Sequence, residues 1–433
     1  MIFEILTTSI MGGIAIKAAI KKNGLSTNDS GKIQRIISLS GLNVKDGKNT
    51  LTTQLIRKKS YEWGWEFHYR IPLGRSYEDY LAKQRVLEDG LNNRRKQITI
   101  TDLKILKLDG NIIDNLKVLW TNKLTERKEI EISFDGLLKI RVYNESLPLQ
   151  VPFQPGVNWS IPVGVTRDKN MFKYHDFEKI PHMVLGGATR YGKSNFINSM
   201  ITSLLQSQPD HVKLFLIDLK GGVELCDYES IKQTLSIAYE PEEAFETLQA
   251  AYDQMRSIQS RIRYLGKKNV QEAGIKERYF VIIDEVGELN PSESVSIQDR
   301  KLKEECQKLM SQIARLGAGL GFRQILATQY PTGDVIPRQC KQNSDAKIAF
   351  RVQSAVASRV VLDEVGAENL PEIVGRAIYR TASKLEILQT PLITPEMIQN
   401  TLAPYNVEKE VIILEKPEVE QPGGIDTIVI EEI

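Results

Sequence analysis

"HMVLGGATRYGKSNFINSMITSLLQS", residues 182–207, decides the fold. Apolar residues run to Leu185, two glycines interrupt them, and an amphipathic stretch begins at Lys193. A strand, a glycine-rich turn and a helix are predicted in that order. Inside the turn, Gly187-Ala188-Thr189-Arg190-Tyr191-Gly192-Lys193-Ser194 fits the spacing G-x-x-x-x-G-K-[ST]. The glycines let backbone N–H groups turn inward around phosphate oxygens. Lys193 is placed to reach the β- and γ-phosphates, and Ser194 to offer its hydroxyl to Mg²⁺. Asn195 completes the set at the head of the helix. A plain strand-to-helix turn is the competing reading. By average residue usage, a chance match to this spacing in a chain of this length is on the order of one or two in a hundred. ATP and Mg²⁺ are the cofactors this loop implies.

A triphosphate site of this kind needs an acidic residue at the end of a second buried strand. "RYFVIIDEVGEL", residues 278–289, supplies one. Asp284 is expected to hold Mg²⁺ through water, and Glu285 to orient the attacking water. A third apolar run, "FRQILATQ", ends in Thr328 and Gln329. These two are expected beside the γ-phosphate as a polar sensor. Satisfaction of Gln329 within the core is the alternative.

Outward from this centre, strand-like and helical patterns alternate. "VKLFLIDLK" (212–220) and "AKIAFRVQS" (346–354) read as strands, and residues 240–265 and 299–319 as long amphipathic helices. The first of these helices opens on acidic residues, as the helix dipole favours. Alternation of this kind implies an α/β fold with a mainly parallel central sheet and helices on both faces. Before it, "YEWGWEFHYRIPL" (61–73), "KQITITDLKIL" (96–106) and "LKIRVYN" (138–144) are strand-like, and residues 76–93 form a helix capped by Ser76. Trp63 and Trp65 fall at strand spacing on one face, where core packing is favoured over base stacking.

The chain has 433 residues and a net charge of +2, from 57 basic and 55 acidic side chains. The distribution matters more than the sum. Residues 1–60 carry ten Lys/Arg against three Asp/Glu, and residues 401–433 carry two against eight. Three dispersed cysteines and four scattered histidines show no metal-ligand spacing and exclude a disulfide framework. Residues 2–20 are mostly apolar, but the uncharged core from Ile5 to Ile16 is short of the ~20 residues a spanning helix needs. That segment is read either as a membrane anchor or as a helix packed on protein or on a membrane surface.

The motifs taken together carry a more specific resemblance. "IDLKGGVEL" (217–225), "VIIDEVGEL" (281–289), "IARLGAGLGFRQILATQYP" (313–331) and "KIAFRVQSAVASRVVLDEVGAENL" (347–370) occur in the order found in the FtsK/SpoIIIE-type DNA translocase motor. "HDFEKIPHMVLGGATRYGKS", with residues 65–92 ahead of it, resembles the FtsK-like coupling proteins of Gram-positive conjugative plasmids and integrative elements. The resemblance spans roughly residues 150–395. It implies a RecA-like P-loop ATPase assembled as a hexameric ring that moves DNA, largely without regard to sequence. The implied partners are a relaxase–DNA complex and the proteins of a type IV secretion channel, and the implied location is the cytoplasmic face of the cell membrane.

The chain departs from that pattern in places. Relatives often have Gly-Ser where Arg190-Tyr191 stand, and arginines where Ala318 and Tyr330 stand. Tyr191 is expected to pack on the nucleotide and Arg190 to face a neighbour. Arg359 is the candidate for the arginine that completes a neighbouring site, with Arg315 and Arg351 behind it. Arg338 and Lys341 are placed on one loop, and Lys267 and Lys268 on another, as candidate contacts to DNA phosphates. The expected organisation is an apolar segment 1–22, a basic linker 23–60 and a small α/β adaptor domain 61–150. The RecA-like motor 151–400 and an acidic tail 401–433 follow. Two other functions fit these motifs: a soluble plasmid or phage translocase serving segregation, replication or packaging, and an ATP-gated docking platform that pumps no DNA.

Overall fold

The computed structural model describes residues 29–92, 128–167, 172–329, 331, 333, 335–382 and 384–407. These fall into two compact units. The first takes the described residues up to Ser203, then Gln329–Gly333 and Ser344–Ile393. The second takes Leu204–Thr328, Asp334–Asn343 and the residues from Thr394 on.

The first unit begins with α1 (Asp29–Leu39), a ribbon of β1 (Val44–Asp46) and β2 (Asn49–Leu51), then β3 (Gln54–Tyr61) and β4 (Gly64–Arg70). Two short helices follow, α2 (Tyr77–Leu81) and α3 (Gln84–Leu91), then β5 (Glu129–Asp135) and β6 (Leu137–Tyr143). The four longer strands form an antiparallel sheet in the order β3-β4-β6-β5. Because side chains alternate across a strand, each strand has two characters. Phe67, Tyr69, Ile130, Ile132, Leu138, Ile140 and Val142 share one core with Ile33 and Ile37 of α1 and Leu87 and Leu91 of α3. The intervening positions are charged. There Glu66 accepts hydrogen bonds from His68 at 2.7 Å and from Arg141 at 3.0 Å. Burial alone would raise the Glu66 carboxyl, but these two bonds hold it below the ordinary carboxylate range.

Two expectations are corrected here. Residues 29–60 are not a linker: they supply α1, the ribbon and β3, which pairs with β4 along its length. Trp63 and Trp65 do not share a strand face, because Trp63 lies in the turn between β3 and β4. Trp63 stacks between Tyr61 and Tyr143, while Trp65 packs beside Phe67 with the Lys58 ammonium over its ring. The strand expected at residues 96–106 and the segment 1–22 lie outside the described residues. Among the described residues no helix is long and apolar enough to cross a membrane.

The chain continues through β7 (Val151–Pro152), β8 (Ser160–Thr166), β9 (Phe172–Asp176), β10 (Met183–Gly186) and α4 (Lys193–Ser207). Next come β11 (Val212–Ile217), β12 (Thr234–Ala238), α5 (Pro241–Tyr264), β13 (Arg278–Ile283), α6 (Ile297–Leu316) and β14 (Phe322–Thr328). After these come α7 (Arg338–Asn343), β15 (Ala346–Phe350), α8 (Ala355–Leu362), β16 (Arg376–Thr381) and β17 (Lys384–Gln389). Last are β18 (Pro391–Leu392) and α9 (Pro395–Leu402).

In the second unit β12, β11, β13 and β14 are parallel neighbours in that order. Every residue of β13 and β14 is buried, which is why both read as unbroken apolar runs with few polar exceptions. α5 starts with Pro241 in its first turn and Glu242 and Glu243 beside it, and it ends with Arg261 and Arg263. That charge order complements the helix dipole at both ends. α6 is capped by the Ser296 side chain and buries Cys306, Leu309, Met310 and Ile313 on one stripe. Burial pushes the Cys306 thiol up to about 12 and the Cys340 thiol, on α7, up to about 12, whereas Cys226 is exposed.

The expectation of a mainly parallel sheet describes this second unit. In the first unit β10–β15 and the two-residue β7–β18 pair are parallel, and β15-β16-β17-β8-β9 continue antiparallel. Two residues separate β16 from β17, too few for the crossover that a parallel pair requires.

Candidate nucleotide site

The phosphate loop lies in the first unit, between β10 and α4, and backbone shape defines it. Gly192 has φ of 108°, a conformation that side chains with a Cβ rarely adopt. A Cβ there would sit 2.9 Å from the Gly375 nitrogen. One at Gly187 would sit 2.6 Å from the Phe350 Cβ. Two backbone bonds hold the loop: Ala188 N donates to Arg351 O, and Gly375 N donates to Tyr191 O, each at 2.9 Å. Arg190 is exposed with φ of 71°, and Tyr191 is half-buried. Lys193, the first residue of α4, is buried, and Ser194 and Asn195 follow it into the first turn. Asn195 reaches the main chain of Ile393, donating to its carbonyl at 2.8 Å.

Gln329 belongs to this same unit. Its side-chain oxygen accepts a hydrogen bond from the Thr189 hydroxyl at 3.0 Å. The structure thus brings the expected sensor to the phosphate loop, and the loop residue it touches is a variable position of the motif. The sequence pointed to neither Thr189 as that partner nor Gly375 and Phe350 as the brace. Gly375 directly precedes β16, and a glycine at the start of a strand was the available signal.

The acidic pair lies in the second unit. Asp284 follows β13 directly, is fully buried, and donates its backbone N–H to Ile217 O at 2.9 Å. Glu285 is also buried and caps the short 3-10 turn Val286–Leu289, accepting from Gly287 N at 3.3 Å. That length is long for an N–H···O bond. At the end of β11, buried Asp218 shapes the loop of the "IDLKGGVEL" segment. Its Oδ2 accepts from Glu224 N at 2.8 Å and Leu225 N at 2.9 Å. Thr328 closes β14 and is fully buried.

The arginines differ in their surroundings. Arg359 lies in the last turn of α8 and is exposed. Arg351 is held within its own chain by Leu370 O and lies 3.3 Å from Glu372. Arg315 is exposed on α6 in a groove shared with Pro337 and Gln339. The loop expected for Arg338 and Lys341 is instead α7, a six-residue helix that Pro337 precedes. Lys267 and Lys268 are exposed in the loop after α5.

The loop residues fit a nucleotide triphosphate. Their donors are an ammonium, a hydroxyl and the first-turn amides of a 15-residue helix, all suited to anionic oxygen. Gly192 and Gly187 leave no room for side chains where a phosphate would be cradled. A hydroxyl and a carboxylate are hard-oxygen donors of the kind Mg²⁺ takes alongside phosphate oxygens.

Residues 157–316 match the FtsK/SpoIIIE family. The DNA translocase FtsK of Tropheryma whipplei is 33% identical over 218 residues, covering 48% of this chain and 29% of that protein. The DNA translocase FtsK of Corynebacterium efficiens is 30% identical over 272 residues, covering 57% of this chain and 28% of that protein. The chain therefore spans under a third of the length of either relative. Among solved structures, the pCW3 conjugation coupling protein TcpA, in a monomer form with ATPgS, aligns with a TM-score of 0.58 at 20% identity. That alignment covers 87% of this chain and 99% of that one. The fold is accordingly that of a RecA-like P-loop ATPase.

Proposed function

From an FtsK/SpoIIIE-family domain at residues 157–316, we propose an ATP-driven DNA translocase that acts as a conjugative coupling protein. In this reading it delivers DNA to a type IV secretion channel. The observation that carries the motor is the phosphate loop, with Gly192 at positive φ against Gly375 and Thr189 bonded to Gln329. The coupling role draws on the likeness to TcpA, whose alignment covers 87% of this chain.

Each residue has a stated part. Lys193, Ser194, Asn195 and the amides from Gly187 to Gly192 would hold the phosphates, Ser194 would offer its hydroxyl to Mg²⁺, and Asp284 would hold the metal through water. When bound, the metal would supply charge neutralisation at the phosphates. Glu285 takes the proton of the attacking water. Gln329 reads the state of the γ-phosphate and passes it to Thr189. Arg359 of one copy completes the site of its neighbour in a hexameric ring. Arg338 and Lys341 contact DNA phosphates, which suits a ring that must slide over any sequence. The four-stranded module is the adaptor toward the relaxase–DNA complex or the channel, and residues 1–22 bring the ring to the cytoplasmic face of the membrane.

The test is steady-state ATP hydrolysis by the full chain with and without double- and single-stranded DNA, with Glu285→Gln as control. Strong stimulation by DNA that disappears in the control supports the motor. Hydrolysis indifferent to DNA in assembled rings overturns it and leaves a gated platform. Loss of conjugative transfer and of membrane association on removing residues 1–22 separates a coupling protein from a soluble translocase.

A further inference from the structure

The second unit presents a strongly cationic surface where α5 ends. Residues 255–271 carry Arg256, Arg261, Arg263, Lys267 and Lys268 and no acidic residue. All five cations are exposed. Arg256 is engaged by Gln259, and among the described residues the other four make no ion pair. The nearest acid that follows, Glu272, is occupied by the backbone N–H of Lys268 and the side chain of Asn269. Amid these cations Tyr264 is 91% exposed and Leu265 44% exposed.

The helix dipole accounts for only part of this. It favours cations in the last turn, which explains Arg261 and Arg263. It does not explain Lys267 and Lys268 beyond the helix, nor an aromatic ring left in water. Local backbone geometry keeps the cluster together. Gly266, at φ of 66°, ends the helix, and Lys267 N donates back to Ile262 O at 3.0 Å. The chain therefore folds over its own helix end, and the two lysines stay beside the two arginines.

The position is also informative. Val270 N bonds Gly319 O, Tyr279 N bonds Gly321 O and Arg278 N bonds His211 O. These contacts place the helix end among the starts of β11, β13 and β14. Asp284 follows the other end of β13. The cationic surface and the acidic pair thus occupy opposite ends of the same parallel strands.

We propose that Arg261, Arg263, Tyr264, Lys267 and Lys268 form a second, sequence-independent contact for the DNA phosphate backbone, on the strand-start face of the motor. It rests on the DNA-translocase reading above. Guanidinium and ammonium groups neutralise successive phosphates, and the Tyr264 ring lies against deoxyribose. A site at this end grips DNA without touching the nucleotide, so it acts as a guide rather than as part of the power stroke.

The experiment measures binding of the full chain to a fluorescent random-sequence duplex across a salt series. The variant Arg261→Ala/Arg263→Ala/Lys267→Ala/Lys268→Ala should bind at least about tenfold more weakly at physiological salt. Its slope of log affinity against log salt should be shallower by about 3 to 4. Arg261→Lys/Arg263→Lys should keep the wild-type slope, and an unchanged melting temperature excludes misfolding. Tyr264→Ala should weaken binding about threefold with the slope unchanged, since the ring carries no charge. Wild-type affinity and slope in the fourfold variant overturn the proposal. So does a variant that keeps DNA binding but loses affinity for a synthetic peptide of residues 408–433, which would assign the surface to acidic protein. If the wild-type chain itself binds no duplex, the DNA-translocase reading fails first and this contact falls with it.

Discussion

The phosphate loop and the acidic pair, assigned to one chemistry in the function proposed above, are built by opposite means. The loop is made of backbone. Gly192 and Gly187 are there because a Cβ would strike Gly375 and Phe350, and main-chain bonds from Ala188 and to Tyr191 fix the curve. The acidic pair is made of side chains. Asp284 and Glu285 stand at the end of a wholly buried strand, and neither has a positive φ. A site shaped by backbone is intolerant of added atoms, and a site shaped by side chains is intolerant of changed charge.

That contrast breaks if the two kinds of substitution have the same signature. The largest effect is expected for Gly192→Ala. It adds one methyl group to a position with φ of 108°, with strain of about 1–3 kcal/mol. Nucleotide binding, followed by titration with a fluorescent ATP analogue, should weaken at least about a hundredfold, a figure set by the loss of the cradle rather than of a charge. Glu285→Gln is nearly isosteric and should do the reverse. Hydrolysis should fall by about 100-fold or more, while nucleotide affinity and melting temperature stay near wild type. If Glu285→Gln also abolished binding, the carboxylate would be structural and the contrast would collapse.

Smaller effects sharpen it. Thr189→Val removes the 3.0 Å bond to Gln329 and leaves the loop backbone untouched. A loss of about three- to tenfold in kcat with KM unchanged is expected, in line with about 1 kcal/mol for one hydrogen bond. An equal loss from Gln329→Ala, not additive with Thr189→Val, would show that the pair acts as a unit. The smallest effect concerns the charged face of the four-stranded sheet, where Glu66→Gln should leave hydrolysis unchanged. Because the folded-state carboxyl of Glu66 is held low, its contribution is present above the ordinary glutamate range and is lost as pH falls through the folded value. Denaturant titrations should therefore show about 1 kcal/mol between wild type and Glu66→Gln at pH 7, shrinking toward pH 3.

The same division separates what could be read from the sequence and what could not. Asp284 and Gln329 stand at the ends of apolar runs, and Lys193 follows one across a glycine-rich turn; burial writes such runs plainly, since β13 and β14 are buried at every residue. The brace at Gly375 and Phe350 is written nowhere in the loop, because it comes from residues about 160–185 positions away in sequence. Residues 29–60 looked like a linker because they are basic. Their buried apolar side chains, Ile33, Ile37 and Leu42, are spaced among polar residues, and Lys58, which reads as solvent-facing, lies with its ammonium 3.9 Å from the Trp65 ring centre. The antiparallel strands β16 and β17 were missed because alternating charge, as in Lys384 and Glu386, hid the pairing from a search for buried runs. α7 was too short to show a period.

The cysteines have a practical consequence. Thiolate is the reactive form, so thiols raised to about 12 and sealed in the core, as Cys306 and Cys340 are, will not react with maleimide in the folded protein. Cys226 is exposed immediately after the loop that Asp218 clasps. A native preparation should take up one equivalent of dye and an unfolded one three, one per cysteine in the chain. The protein thus comes with a single-site optical handle already installed. A donor and an acceptor placed on separate copies through Cys226 would report energy transfer as copies come together, with no substitution made.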